Sequence, residues 1–225
     1  MTMQLLSARP MRYAALGAAF SLALVGCVEE TPAPPAPAQL DFDSAATGNI
    51  QIDVEVPEDT SDPENPVPGY TLPVIVPLNG TASGTWVHGG SGAFSVDLAF
   101  DEGSFELVVP DVATINIGYS ATQTQPATGN FNPTTGLGGF GTEITMTVLS
   151  IDLLGGPVAP PCDVVFELDV SGQIDPVTGV LDVTQDSFAV VPPGEADCAG
   201  LGGIMGQLLG GPMNSVDLSF EVGTI

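Results

Sequence analysis

Basic side chains are almost absent from this chain. It contains no lysine, and its two arginines, Arg9 and Arg12, precede all 27 aspartates and glutamates. A chain that loses its first residues by processing therefore retains no lysine or arginine. Phosphate backbones and anionic lipid headgroups are bound through such cations, so the absence excludes a conventional nucleic-acid surface and an electrostatic lipid-binding surface.

The uncompensated negative charge indicates a protein that depends on its counterions. Exposed charges are screened over about 10 Å at 0.1 M salt and over about 3 Å at 1 M, so we expect added salt to stabilise the fold. Self-repulsion otherwise disfavours a compact state, which favours a saline habitat, bound divalent cations or both. A well-solvated acidic secreted protein with neither is the alternative.

Residues 1–26 have the anatomy of an export signal. The two arginines are followed by an apolar stretch, residues 14–25, that is too short to cross a bilayer as a mature helix. The run Leu-Val-Gly-Cys that ends at Cys27 resembles the lipobox of bacterial lipoproteins. The resemblance implies cleavage before Cys27, a diacylglyceryl group on its thiol, and anchoring at the exported face of a bacterial membrane. An uncleaved anchor or an ordinary secretory peptide is the alternative.

Proline content divides the rest of the chain. Residues 27–48 combine the lipidated cysteine with a segment in which four prolines stand among alanines and acids, a composition that predicts an extended tether. Residues 49–225 have the size of one domain. We therefore expect a signal peptide at 1–26, a tether at 27–48 and a single folded domain beyond it.

Apolar residues recur with a period of two through the expected domain, which predicts half-buried strands. The clearest alternation runs through residues 50–56, 94–100, 164–170 and 216–222. Further strand candidates lie at residues 72–78, 84–88, 104–109, 112–118, 142–151, 180–183 and 187–191. Many short strands separated by glycine, proline and asparagine turns predict an all-β, antiparallel β-sandwich. A closed or partly open β-barrel is the alternative.

One short C-terminal helix is predicted at Ala199–Leu209. Apolar residues recur there at helical spacing before two glycines and Pro212 end the pattern. A helix of this length is too short to span a membrane, so we expect it to cap the core of the domain.

Cys162 and Cys198 are the cysteines that remain once a lipid takes Cys27. An exported chain meets an oxidising environment, so a disulfide between these two residues is their expected state. It would close a loop of about 37 residues and stabilise the fold by roughly 3 to 4 kcal/mol by restricting the unfolded chain. A two-thiol metal or redox site is the alternative, although the separation is far from CxxC spacing.

The last third of the chain carries a second resemblance. Its motifs are Pro161-Cys162-Asp163 at the start of a strand, Ser171-Gly172, Cys198, and Gly211-Pro212-Met213-Asn214 before the final strand. They resemble a group of secreted actinobacterial β-domains of unknown function over about 60 residues, with Met213 in place of a glycine. The resemblance implies a β-domain with a cysteine pair, and it implies no activity.

The residues that nucleophilic hydrolysis needs are scarce. His88 is the only histidine, and no serine stands in a Gly-x-Ser-x-Gly motif. Paired carboxylates such as Asp97 with Asp101 or Glu102 are the remaining route, because glycosidases use two acids. With 27 acids, close carboxylates are unavoidable and are ordinarily solvated, so we predict that the protein is not an enzyme.

An acidic loop is the candidate cation site. Oxygen-rich, irregular loops suit calcium, and the ligands offered here are Glu58, Asp59, Asp62, Glu64 and Asn65. No EF-hand spacing occurs among them. Calcium is the one cofactor that the sequence indicates, and a rigid, solvated acidic loop is the alternative.

Four side chains form the candidate ligand-binding set: Trp86, His88, Tyr119 and Phe131. Trp86 and His88 are two residues apart on an expected strand and so share a face, as in an aromatic platform for a sugar. Tyr119 and Phe131 belong to a long polar segment, and long loops often carry function. Packing of the large rings in the core is the alternative.

Together these features predict a lipid-anchored, acidic β-sandwich module of the bacterial cell envelope with a structural or binding role. Its partners would be the membrane, through the lipid, and an envelope protein or glycan. A calcium-dependent glycan or protein adhesion module is the alternative, and an envelope hydrolase based on carboxylates is a third.

Overall fold

A computed structural model describes residues 38–56, 58, 64, 68–109, 113–152, 156–195, 197–200, 202–203 and 213–224. Most of these residues lie in antiparallel strands, so the prediction of an all-β, antiparallel fold is confirmed. The strands are β1 (Leu40–Val56), β2 (Tyr70–Trp86), β3 (Ala93–Phe100), β4 (Gly103–Val109), β5 (Ala113–Gln123), β6 (Ala127–Phe131), β7 (Leu137–Ile151), β8 (Gly156–Ile174), β9 (Val180–Gln185), β10 (Val190–Val191) and β11 (Ser215–Glu221). A 3-10 turn, Cys198–Gly200, follows β10.

Eight of the strands hydrogen-bond to one another in a closed ring. Its order is β1-β2-β3-β6-β7-β8-β9-β11, and the pairing of β11 with β1 completes it. β5 and β4 extend the sheet from β7, and the two-residue β10 pairs with β8. All neighbours in the ring are antiparallel, so each strand ends beside the start of the next.

Inward-facing aromatic side chains fill the ring. Phe42 of β1, Phe94 of β3, Phe140 of β7 and Phe220 of β11 pack together, with ring centroids 5.6 to 6.5 Å apart. β3 and β11 are not neighbours, so the contact between Phe94 and Phe220 crosses the interior. Strands on opposite sides therefore pack face to face over one apolar core, as the layers of a sandwich do.

The ring separates into two layers along its length. β1 and β2 stay paired as far as Val56 and Tyr70, beyond their last pairs with β11 and β3. On the other side, β4, β5, β7 and β8 continue as one layer. The hydroxyl of Tyr119 on β5 donates a hydrogen bond to the carbonyl of Pro77 on β2 and so joins the layers. We call the ring portion the closed half and the two-layer portion, with residues 186–200, the open half.

Two glutamine side chains replace strand pairing where the ring separates. Gln123, the last residue of β5, accepts a hydrogen bond from the backbone N–H of Leu98 at 2.6 Å and donates one to Thr142 at 2.9 Å, so it bridges β3 and β7. Gln185, the last residue of β9, accepts one from the N–H of Asp169 on β8 at 2.8 Å. Backbone groups that lose a strand partner need a replacement, and these side-chain amides supply it.

A buried asparagine holds the segment after β9 against the core. The side-chain oxygen of Asn214 accepts a hydrogen bond from the N–H of Asp53 on β1 at 3.1 Å, and its amide donates one to the carbonyl of Phe188 at 3.2 Å. The ring of Phe188 packs edge to face on Phe166 of β8, with centroids 5.8 Å apart. One polar side chain thus connects three separate parts of the chain.

The first strand begins earlier than the sequence indicates. β1 starts at Leu40, inside the segment 27–48 that is predicted to be a tether. Phe42 and Ala46 of this stretch face the core while Asp41 and Asp43 are exposed. Alanine and serine weaken the apolar alternation here, so the period of two becomes visible only from Ile50 onward.

The second strand is continuous where the sequence predicts two strands, at 72–78 and 84–88. Asn79-Gly80 separates these candidates and is typical of a turn. In the structure Gly80 instead allows β2 and β3 to approach closely, because a Cβ there would lie 2.0 Å from the carbonyl oxygen of Ala99.

The predicted helix at Ala199–Leu209 is not shown by the structure. The described part consists of the 3-10 turn Cys198–Gly200 and two helical residues, 202 and 203, and the rest of the helix lies outside the described ranges. Within those ranges no helix has the length and apolarity needed to cross a bilayer.

Candidate functional site

Four chain segments lie at one end of the closed half. They are the connections β2–β3 (residues 87–92), β6–β7 (132–136) and β8–β9 (175–179), together with residues 222–224 after β11. Because neighbouring strands in the ring are antiparallel, these segments share the end at which β1 begins. We call them the turn end.

Two of these connections are near copies of each other. Residues 128–137 read Thr-Gly-Asn-Phe-Asn-Pro-Thr-Thr-Gly-Leu, and residues 171–180 read Ser-Gly-Gln-Ile-Asp-Pro-Val-Thr-Gly-Val. Each copy contains the end of one ring strand, the turn, and the start of the next strand. The sequence reasoning missed this repeat, although comparing the chain with itself reveals it.

The same polar position closes both of these turns. The side-chain oxygen of Asn132 accepts backbone hydrogen bonds from the second and third residues after it, at 2.8 and 3.1 Å. Asp175 accepts the equivalent bonds from Val177 at 2.7 Å and Thr178 at 3.1 Å. The bond from Val177, followed by that from Thr178, lowers the pKa of the Asp175 carboxyl. Its carboxylate is therefore already engaged within its own turn.

Glycines end both turns and connect them to neighbouring strands. Gly136 and Gly179 have φ angles of 71° and 73°, a conformation that residues with a Cβ rarely adopt. The carbonyl of Gly136 accepts a hydrogen bond from the N–H of Ile174 at 3.0 Å, and that of Gly179 accepts one from Val222 at 2.8 Å. The turn end is therefore a connected set of hydrogen-bonded segments.

The chain enters the fold at the turn end. The N–H of Gly89 donates a hydrogen bond to the carbonyl of Ala38 at 3.1 Å, which places the residues before β1 against the β2–β3 connection. The same connection receives the N–H of Phe131, which donates to the carbonyl of Gly92 at 2.9 Å. Residues 38 and 39, the described residues before β1, thus lie at this end of the ring.

Charge is distributed unevenly between the turn end and the other connections. Asp175 is the only acidic residue in the four turn-end segments. Two apolar side chains are exposed at this end, Val177 at 81% and Leu137, which directly follows a turn, at 56%. The described connections elsewhere contain eight acids: Glu58, Glu64, Asp101, Glu102, Asp152, Asp186, Glu195 and Asp197.

A shallow cleft of about 420 Å³ lies beside the β8–β9 turn. Its lining consists of Gln173, Asp175, Pro176 and Asp182. The lining offers two exposed carboxylates and one amide, which can accept or donate hydrogen bonds to a polar group.

Three of the four predicted ligand-binding side chains belong to the core. Trp86, Tyr119 and Phe131 are buried, and burial raises the pKa of the Tyr119 hydroxyl. His88 lies in the β2–β3 turn, with its ring centroid 5.8 Å from that of Trp86. The ring of Phe131 packs on Phe94, at 4.9 Å. In this arrangement the four side chains do not form a common exposed platform for a ligand.

The predicted calcium loop lies mostly outside the described ranges. Glu58 and Glu64 are described, whereas Asp59, Asp62 and Asn65 are not. Among the residues that are described, no group of three histidines, cysteines, aspartates or glutamates is arranged to hold a metal ion. The calcium site stays a prediction.

The predicted disulfide between Cys162 and Cys198 is confirmed. It joins β8 to the 3-10 turn, and both residues are buried. Together with Ile117 and Val148 they form a small apolar cluster, separate from the main core, in the open half. The disulfide therefore fastens residues 186–200 to the layer that contains β8.

The chain was compared with family models, curated proteins and solved structures. No protein-family model matches it, no curated protein matches it, and no solved structure matches it. The resemblance of the last third to secreted actinobacterial β-domains stays a prediction.

Proposed function

We propose that the protein is a lipid-anchored, acidic module of a bacterial cell envelope, with a structural or binding role and no catalytic activity. The observation that carries the proposal is the disulfide between Cys162 and Cys198. Such bonds form outside the reducing cytosol, in the compartment to which a lipobox directs a protein. The disulfide also leaves Cys27 as the only other cysteine, at the position where lipid is added.

Anchoring by lipid agrees with the composition of the chain. A protein without lysine or arginine after its signal peptide has no cationic patch with which to bind anionic headgroups. Acyl chains need no such patch, because each buried methylene contributes roughly 0.8 kcal/mol and two chains suffice for stable attachment. The lipid would therefore supply the whole attachment to the membrane.

A binding or structural role agrees with the arrangement of the reactive side chains. Cys162 and Cys198 are bonded to each other and are not free to act as nucleophiles. His88, the one histidine of the chain, lies against Trp86. The open half carries exposed acids, among them Glu58, Asp152 and Asp186, and we propose that an envelope protein or glycan contacts this half.

Lipidation is tested by expressing the full-length chain in a bacterium that processes lipoproteins and supplying an alkyne-tagged fatty acid. We expect a tagged protein whose N-terminal peptide begins at a diacylated Cys27, as measured by mass spectrometry. The matched control, Cys27→Ser, should carry no tag while keeping its disulfide. An untagged wild-type protein, or a mature protein that retains residues 1–26, would overturn the proposal.

A further inference from the structure

We infer that the turn end faces the phospholipid bilayer and that the open half points away from it. This inference rests on the proposed lipid anchor at Cys27. Two features of the molecule support this orientation: the point at which the chain enters the fold and the distribution of charge.

The position of Ala38 limits how far the turn end can lie from the anchor. Ten residues, 28–37, separate Cys27 from Ala38. Fully extended, the eleven Cα–Cα steps from Cys27 to Ala38 span at most about 40 Å. Because Ala38 is hydrogen-bonded to Gly89, this limit applies to the turn end itself.

No equivalent restraint acts on the opposite tip of the β1–β2 hairpin. β1 alone contains 17 residues. At about 3.3 Å per residue its far end, Val56, lies roughly 55 Å from Leu40. The tether thus keeps one end of the molecule near the anchor and leaves the other end free.

Charge repulsion selects between the orientations that the tether permits. Bacterial bilayers contain anionic lipids, and the folded chain has no lysine or arginine to offset its acids. An orientation that lays the outer strand faces or the open half on the bilayer would bring many carboxylates to the headgroups. The four turn-end segments contain one, Asp175, which already accepts two backbone hydrogen bonds, and the adjoining strand ends add Asp41 and Asp182.

The exposed side chains of the turn end suit the headgroup region. Val177 and Leu137 project apolar surface, and their neighbours in the turns are mainly threonine, proline, glycine and asparagine. Uncharged groups of this kind enter an interface without the desolvation of an ion. Exposed apolar side chains such as Ile75 and Val108 also occur outside the turn end, so the entry of the chain and the low charge of the turn end carry the orientation.

The orientation is tested with environment-sensitive fluorescent labels on the lipidated protein. Cys27 is then acylated and Cys162 is bonded to Cys198, so an introduced cysteine is the only free thiol. The label is placed at Val177→Cys on the turn end or, as the matched control, at Val108→Cys on β4 in the open half, where the valine is 52% exposed. Leu137→Cys supplies a second turn-end position in case a label disturbs one turn.

The labelled proteins are reconstituted into vesicles of phosphatidylcholine with a minority of phosphatidylglycerol and a lipid carrying a nitroxide quencher on its headgroup. We expect severalfold stronger quenching at both turn-end positions than at Val108→Cys. Replacing Cys27 with serine should abolish the quenching.

Flotation of the vesicles distinguishes an incorrect orientation from an incorrect anchor. If the protein floats with the vesicles but the label at Val108→Cys is quenched as strongly as that at Val177→Cys, the orientation is wrong and the anchor stands. If the processed wild-type protein does not float, the proposed anchor is wrong and the orientation falls with it.

Discussion

The closed half and the open half of the molecule are held together by different means. In the closed half, strand pairing surrounds the core, and the turns hydrogen-bond to adjacent strands. In the open half, the two layers are connected through side chains, among them Tyr119 on Pro77, and through the disulfide. Where backbone pairing ends, a few individual side chains hold the two layers together. A single substitution in the closed half is therefore expected to lower the stability of the whole fold, whereas one in the open half is expected to act locally.

The largest loss of stability is expected from emptying the centre of the closed half. Phe94→Ala removes a ring that lies 4.9 Å from Phe131 and 5.6 Å from Phe42 and Phe140. Replacing a buried phenylalanine by alanine lowers the free energy of unfolding by about 3 to 5 kcal/mol. Urea unfolding measures the change. Phe105→Ala, which removes a partly buried ring of the open half, should lose clearly less, and equal losses would contradict the comparison.

Loss of the disulfide should be nearly as large but localised. In the double variant Cys162→Ser/Cys198→Ser, we expect stability to fall by about 3 to 4 kcal/mol because the unfolded chain regains its freedom. Hydrogen exchange should accelerate most in residues 186–195 and 197–200 and at the start of β8, beyond the smaller decrease in protection that the global loss of stability produces in the closed half. Cys27→Ser retains the disulfide and should show neither change. Uniform loss of protection around the ring would contradict a local role.

The two copied turns provide a smaller and internally controlled test. Gly136→Ala and Gly179→Ala each place a Cβ on a backbone with positive φ, which lowers stability by about 1 to 2 kcal/mol. Crowding adds to this loss, because the new Cβ at residue 136 would lie 2.3 Å from the carbonyl oxygen of Ile174. Gly141→Ala on β7 would place its Cβ 3.8 Å from the carbonyl oxygen of Leu168, which is ordinary contact, and should be nearly neutral in thermal unfolding. A neutral result at both turns would show that neither turn constrains the ring.

The smallest expected effect distinguishes the copied turns by their response to acid. The pKa of Asp175 is lowered in the folded state, so its contribution is present above the pKa of the unfolded chain and is lost as pH falls through the folded value. Asn132 holds the equivalent position without titrating. Asp175→Asn should therefore reduce the fall of the melting temperature in acid, and Asn132→Asp should increase it. Identical acid profiles would contradict a role for the Asp175 charge in its turn.

Strands with large alternating side chains were predictable, and strands built from small residues were not. The candidates 94–100 and 216–222 correspond closely to β3 and β11. The first part of β1 was missed because alanine and aspartate carry little apolar periodicity. Gly80 was misleading because glycine marks both a turn and a close approach of two strands.

The arrangement of the strands and of the site depended on distant contacts. Nothing in the local pattern determines that β11 pairs with β1 or that β6 lies between β3 and β7. The disulfide was predictable from cysteine count and export, without knowledge of the fold. The alternation around Trp86 indicated a strand correctly but left open which face is inside, and the ring places that side chain in the core.

The start of β1 and the end of β11 have a practical consequence for engineering. The two strands are neighbours, and the N–H of Glu221 donates a hydrogen bond to the hydroxyl of Ser44 at 3.1 Å. A linker of a few residues would therefore join the first and last described residues, 38 and 224, without strain. Such proximity permits circular permutation and whole-domain insertion. The folded part can therefore be inserted into a surface loop of another exported protein through residues 38 and 224. In a circular permutant, a linker would join these two residues and the new termini would lie between Asp101 and Glu102.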